Sequence, residues 1–189
     1  MKYGELNLGQ VEALVNKLGG MDGVKRFLAG TVEVVVKSIL APANNCVRFA
    51  AVGTHDPQAF YQTRDSLWVS DEFRSRILSK AKPIKNLVAA VGKSYDLTQN
   101  AYDREITPEL GSGYAFDESE VCARIAMMIQ KQPKGEAGDL LNNGCANLFY
   151  VAGCVVYVYW VADFRKWYVY AWKLDDGYWF AGFRAFSRN

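Results

Sequence analysis

Aromatic residues are concentrated in one part of this 189-residue chain. Between Asn147 and Phe186, 15 of 40 residues are Phe, Tyr or Trp, whereas the other 149 residues contain 11. Four short runs in this segment are rich in β-branched and aromatic residues and predict strands: Asn147–Val151, Cys154–Val161, Trp167–Leu174 and Trp179–Phe186. The sequence DDG at Asp175–Gly177 indicates a hairpin turn, so we predict an antiparallel meander.

Alternation along the two central runs divides their side chains between two faces. One face combines aliphatic residues with tryptophan, which is typical of a core: Val156, Val158, Trp160, Trp167 and Val169. The opposite face carries two tyrosine pairs, Tyr157 with Tyr159 and Tyr168 with Tyr170. Tyrosine is a rigid, amphipathic contact residue, so an exposed cluster indicates a binding surface. The alternative is that a loop or a second sheet covers these four rings.

The first 30 residues predict two short helices. Leu8, Val11, Leu14, Val15 and Leu18 recur at helical spacing before Gly19 and Gly20, and a second helix is predicted from about Asp22 to Leu28. Two helices joined by glycine also occur in helix-turn-helix regulators, which makes nucleic-acid binding the alternative function. We favour a packing unit, because the second helix offers only Lys25 and Arg26 as phosphate contacts.

The middle of the chain predicts alternating elements. Strands are expected at Thr31–Lys37 and Asn45–Val52, helices at Asp71–Ala81 after a Ser70 cap and at Asp117–Gln130 with Asp117 as its cap, and loops at Lys93–Gly113 and Lys134–Gly144.

The composition argues against several classes of function. The net charge of +2 gives little support to nucleic-acid binding, and no run approaches the roughly 18 consecutive apolar residues of a membrane helix. No secretory signal is recognisable, which leaves the cytoplasm or display on a virion or cell surface open. The single histidine and four cysteines without CxxC spacing predict no metal site and no cofactor. A hydrolase would have to use His55, which we expect to cap a turn, so we predict that the chain is not an enzyme.

The segment Gly144–Asn189, which ends in AGFRAFSRN, resembles the variable region of the proteins that diversity-generating retroelements rewrite. The resemblance implies an α+β, C-type-lectin-like fold with a small antiparallel sheet, helices and long loops. It places this domain at 31–189, after a short helical segment at 1–30, with the variable region at about 147–186. It also implies that Thr31–Lys37 pairs with the closing strand Trp179–Phe186.

In that family, misincorporation at template adenines turns asparagine codons into varied residues, while codons such as that of tryptophan stay constant. The resemblance therefore makes Trp160, Trp167, Trp172 and Trp179 a constant frame. The implied ligand-binding positions hold residues that rewriting an asparagine codon can produce: Tyr157, Tyr159, Val161, Asp163, Phe164, Tyr168, Tyr170, Gly177, Tyr178, Phe180 and Phe183. The implied function is a display protein whose surface binds varied protein or cell-surface ligands. Because the calcium-binding motif of the lectins is missing, Asp175 and Asp176 are interpreted as turn residues.

Overall fold

The computed structural model describes residues 7–33, 38–43 and 47–188, and the chain divides into two compact units, Met1–Lys37 and Ser38–Asn189. The first unit contains helices α1 (Leu8–Lys17) and α2 (Gly20–Leu28), and Asn7 caps α1 in a reciprocal capping box with Gln10. Helix α2 starts before the predicted Asp22, because Gly19 adopts a left-handed conformation that turns the chain directly into it.

The larger unit alternates short strands with helices. Its strands are β1 (Leu40–Pro42), β2 (Val47–Phe49), β3 (Val52–His55), β4 (Leu67–Val69), β5 (Ile84–Leu87), β6 (Ala90–Leu97), β7 (Ala101–Tyr102), β8 (Asn147–Val151), β9 (Cys154–Val161), β10 (Lys166–Lys173), β11 (Tyr178–Trp179) and β12 (Arg184–Ser187). Its helices are α3 (Pro57–Phe60), α4 (Asp71–Phe73), which continues as a π-helical segment (Arg74–Leu78), α5 (Asp103–Leu110) and α6 (Glu118–Lys131).

Eight of these strands form one sheet in the order β1-β6-β12-β8-β9-β10-β4, with β2 also paired to β6. The β12–β8 and β10–β4 pairs are parallel and the others are antiparallel. Two further pairs, β3–β5 and β7–β11, form small separate sheets. The predicted α+β class is confirmed, but the main sheet is larger than the small antiparallel sheet expected, and it is mixed.

Both faces of the sheet are packed, and alternation along β8, β9 and β10 divides the core in two. On one face Val156, Val158, Trp167 and Val169 lie in a cluster with the apolar side of α6. This is the predicted core face, and α6 begins after its predicted cap, since the Asp117 carboxylate accepts the Glu120 amide proton. On the other face a second cluster includes residues of β8, β9, β11 and α5.

Several predicted elements were wrong. Residues 93–113, predicted as a loop, contain most of β6 together with β7 and α5. The run Trp179–Phe186 breaks at residues 180–183, so β11 pairs with β7 while β12 lies between β6 and β8. The meander is therefore limited to β8, β9 and β10, and Asp175–Gly177 joins strands that are not neighbours.

The remaining predictions have mixed outcomes. Residues 31–33 are not in a strand, and the rest of the predicted Thr31–Lys37 strand lies outside the described residues, as does Asn45. The helix predicted at Asp71–Ala81 does begin after Ser70, whose hydroxyl accepts from the Phe73 amide. In the described part of the chain no helix is both long and apolar enough to span a bilayer.

Candidate functional site

The four predicted tyrosines meet because of the register between β9 and β10. Tyr159 lies directly opposite Tyr168, and Tyr157 lies opposite Tyr170. The ring centroids of Tyr157 and Tyr170 are 4.9 Å apart with the rings nearly parallel, and those of Tyr159 and Tyr168 are 5.7 Å apart. Cross-strand aromatic pairs of this kind stabilise a sheet and hold their side chains in fixed positions.

The edge strand β4 extends this group by one ring that the sequence pattern does not indicate. Trp68 lies opposite Tyr168 in the parallel β10–β4 pair, and its ring lies 5.2 Å from that of Tyr168 and 5.0 Å from that of Tyr170. Trp68 precedes the aromatic segment by about 80 residues, so only the strand pairing reveals its membership.

A second group of rings continues from Tyr157 toward the loops before β12. The ring centroid of Trp172 lies 5.0 Å from that of Tyr157 and 5.3 Å from that of Trp179. From Trp179 the ring contacts continue one after another through Phe183, Phe180 and Tyr178. They end at Tyr102 of β7, whose ring centroid lies 4.7 Å from that of Tyr178. The guanidinium of Arg104 lies 4.4 Å above the Tyr102 ring. An unbroken series of ring contacts therefore joins β4 to β7.

We call the accessible members of this series the aromatic surface: Trp68, Tyr102, Tyr159, Phe164, Tyr168, Tyr170, Trp172, Tyr178, Phe180 and Phe183. Phe164 is its most exposed ring at 65 %, followed by Phe180 at 53 %. Between its two groups lies a mainly apolar groove of about 250 Å³, which both Tyr159 and Trp172 line. Pockets that bind small groups are usually concave and apolar in this way.

The position of the second group depends on one buried carboxylate, that of Asp103 at the start of α5. Asp103 Oδ1 accepts hydrogen bonds from Trp179 Nε1 at 2.6 Å and from the Tyr150 hydroxyl at 3.0 Å. Its Oδ2 accepts from the backbone amides of Asp175 and Gly177 at 3.1 and 3.3 Å. Burial raises the pKa of Asp103, and these four hydrogen bonds act in the opposite direction. The DDG segment is thus held by a side chain of α5, which explains why it does not form the predicted hairpin turn.

Two predicted site residues are less accessible than expected. Tyr157 is only 8 % exposed, because Trp172 and Trp179 pack against its ring. Gly177 is buried, and a Cβ atom placed there would lie 2.6 Å from the Trp179 indole. Both residues therefore lie beneath the aromatic surface, and neither offers a ligand much contact area.

The other predicted positions are at least partly exposed. Val161 ends β9 half-buried, and Asp163 is exposed in the turn before β10. Three of the four frame tryptophans, Trp160, Trp167 and Trp179, are buried, whereas Trp172 is exposed.

The hydroxyl groups of Tyr159 in the surface and of Tyr157 beneath it carry no charge at neutral pH. Burial raises the pKa of Tyr157 and of Tyr159 well above the usual value, and the neighbouring tyrosine hydroxyls raise it further. Each hydroxyl can therefore both donate and accept a hydrogen bond. The surface offers ligands aromatic faces with neutral polar edges.

The residue that a hydrolase would need lies elsewhere, on β3. His55 is buried, with its ring 5.8 Å from Phe60 and 6.5 Å from Tyr61, and burial lowers its pKa. It does not cap a turn as predicted, because the carboxylate of Asp56 caps α3 instead. Within the described residues, no group of three or more His, Cys, Asp or Glu side chains is arranged to hold a metal ion.

Neither the protein-family models, nor the curated proteins, nor the solved structures contain a match to the chain.

Proposed function

We propose that this protein is a ligand-binding display protein and that the aromatic surface is its binding site. The observation that carries the proposal is a continuous series of ring contacts from Phe164 through Tyr168 and Tyr170 to Trp172, Phe183 and Phe180. The series is linked through the buried rings of Tyr157 and Trp179, and its other members are partly or fully exposed. A cluster of exposed aromatic side chains on a protein surface usually marks an interaction site.

The support beneath the rings suits a surface of this kind. Tyr159, Tyr168 and Tyr170 project from strands whose opposite faces are packed against α6. Because the rings already contact one another, they have little rotational freedom to lose when a ligand binds. A few such aromatic residues commonly supply most of the affinity of an interface.

We further propose that the surface is the variable region of a retroelement-diversified protein with a C-type-lectin-like fold. In support, Trp160 and Trp167 of the proposed constant frame are buried in the core. Tyr159, Phe164 and Phe180 are residue types that rewriting an asparagine codon can produce, and all three lie on the aromatic surface. Variation confined to exposed positions would change ligand contacts and leave the core unchanged.

Sequencing the DNA around the coding region tests this origin. We expect a near-copy of the segment encoding residues 144–189 beside a reverse transcriptase gene, differing where the copy has adenine. A flanking region without such a repeat would remove the retroelement from the proposal.

A protein experiment tests whether the surface tolerates variation. The triple variant Tyr159→Ser, Tyr168→Ser, Tyr170→Ser uses a residue that asparagine codons can also produce. We expect it to keep a cooperative unfolding transition, whereas the control Trp167→Ser should lose about 3–5 kcal/mol, because it empties a fully buried site. Unfolding of the triple variant at room temperature would mean that the tyrosines are structural.

A further inference from the structure

Beside the turn between β9 and β10 lies a second concave site, a cavity of about 520 Å³. Six residues from three separate turns line it: Arg64, Asp65, Ser66, Pro133, Lys134 and Arg165. Three of these side chains are cationic and one is anionic, in a protein whose net charge is only +2. The cavity is therefore a local concentration of positive charge, in contrast to the neutral aromatic surface.

Hydrogen bonds from the backbone and from one indole hold the three turns together. Arg64 and Leu67 exchange two hydrogen bonds of 2.9 and 3.1 Å, which close the turn before β4. The carbonyl of Ser66 accepts from the Trp167 amide at 3.0 Å, and Trp167 Nε1 donates to the Gln132 carbonyl at 2.7 Å, next to Pro133. The buried Trp167 thus links the turn before β4 to the chain after α6, so the cavity is built on the rigid core.

The three cationic residues that line the cavity form no ion pair with the other described residues, and Asp65 is the one anion beside them in the lining. In the described part of the chain, no ion pair within 4.0 Å involves Arg64, Lys134 or Arg165. The guanidinium of Arg64 instead lies over the Phe60 ring and donates to a backbone carbonyl, and neither contact involves a carboxylate. Unpaired cations in a concave site attract anions, since the surrounding protein lowers the effective dielectric constant.

Arg165 occupies its place at a conformational cost. Its φ angle is +52°, in the left-handed region that favours glycine, yet the turn carries an arginine. Its amide donates to the Ala162 carbonyl at 3.2 Å, which closes the turn and directs the residue toward the cavity. Backbone strain of this kind is concentrated at functional sites.

We propose that this cavity binds an oxyanion, a phosphate, sulfate or carboxylate group of a ligand, through Arg64, Lys134 and Arg165. Arginine forms paired hydrogen bonds with such groups, and lysine adds a mobile charge. The Ser66 hydroxyl, which has no hydrogen-bond partner among the described residues, adds a neutral donor. The inference is independent of the proposed function, because it uses different residues and a different chemistry.

Calorimetric titration of the full chain with inorganic pyrophosphate at low salt tests the proposal. We expect saturable binding that weakens about tenfold in Arg165→Gly and in Lys134→Gln, the loss of one charge-assisted contact in each. Arg165→Gly also relieves the left-handed backbone, so its melting temperature should be equal or higher, which separates lost binding from lost folding. The control Lys173→Gln, an exposed cation of β10 outside the cavity, should bind as the wild type does.

Two outcomes would overturn the proposal: no binding to the wild type, or binding that both cavity variants retain unchanged. Parallel titrations with sulfate and acetate identify the preferred class. Weaker binding of acetate than of sulfate would favour a phosphate or sulfate ligand, whereas tighter binding of acetate would favour a carboxylate.

Discussion

Replacing Asp103 by asparagine removes one charge and leaves the shape of the side chain nearly unchanged. The carboxylate accepts four hydrogen bonds, two at each oxygen, whereas an amide has one acceptor oxygen and one NH2 group. The least costly orientation of the asparagine side chain places its NH2 group toward Tyr150, whose hydroxyl can rotate to accept a hydrogen bond from it. Trp179 Nε1 then faces a donor and loses its partner.

The expected loss in the free energy of unfolding follows from these contacts. One buried unsatisfied donor costs about 1–3 kcal/mol, and the remaining bonds lose their charge assistance. Burial raises the pKa of Asp103, so removing the charge gives back part of this cost. We therefore expect Asp103→Asn to lower the free energy of unfolding by about 2–3 kcal/mol at pH 7.

Urea unfolding followed by tryptophan fluorescence and far-ultraviolet circular dichroism measures this change. The control is Asp176→Asn, an exposed neighbour in the same loop, which should stay within about 0.5 kcal/mol of the wild type. An Asp103→Asn variant as stable as that control would refute the view that this carboxylate positions Trp179 and the DDG segment.

Three further predictions concern packing and pH. Gly177→Ala should destabilise the protein by about 1–3 kcal/mol, because its Cβ would crowd the indole of Trp179, whereas Gly53→Ala, with open space around it, should cost less than about 1 kcal/mol in the same urea assay. Trp167→Phe should cost about 1–3 kcal/mol by calorimetry, since it leaves a buried carbonyl without its donor. Burial lowers the pKa of His55, so the unfolded chain binds the proton more readily; stability should fall as the pH drops below about 6.5, and His55→Gln should flatten that slope in melting curves between pH 7 and 5.5.

The sequence predicted the elements whose own residues determine them. Strands β8 and β9 have the predicted bounds, and α6 begins after its predicted Asp117 cap, because side-chain alternation and local capping need no distant partner. The buried face of Val158 and Val169 was likewise predicted from alternation alone.

The elements that were missed depend on tertiary contacts. Helix α5 begins at Asp103 and contains Pro108, and both residue types are common in turns and loops. The final run breaks where β11 leaves to pair with β7, so that Trp179 can reach Asp103. Trp68 carries no local signal at all, because only the parallel pairing of β4 with β10 brings it to Tyr168.

The position of β12 has a consequence for how the chain reaches its native state. Among the described strands it comes last in sequence, yet it joins β6 on one side to β8 on the other. Until Arg184–Ser187 is available, no described strand joins the group β1, β2 and β6 to the group β4, β8, β9 and β10, and the edges of β6 and β8 that pair with it are open. Such open edges are prone to mispairing, so we expect folding to be completed only after β12 has left the ribosome.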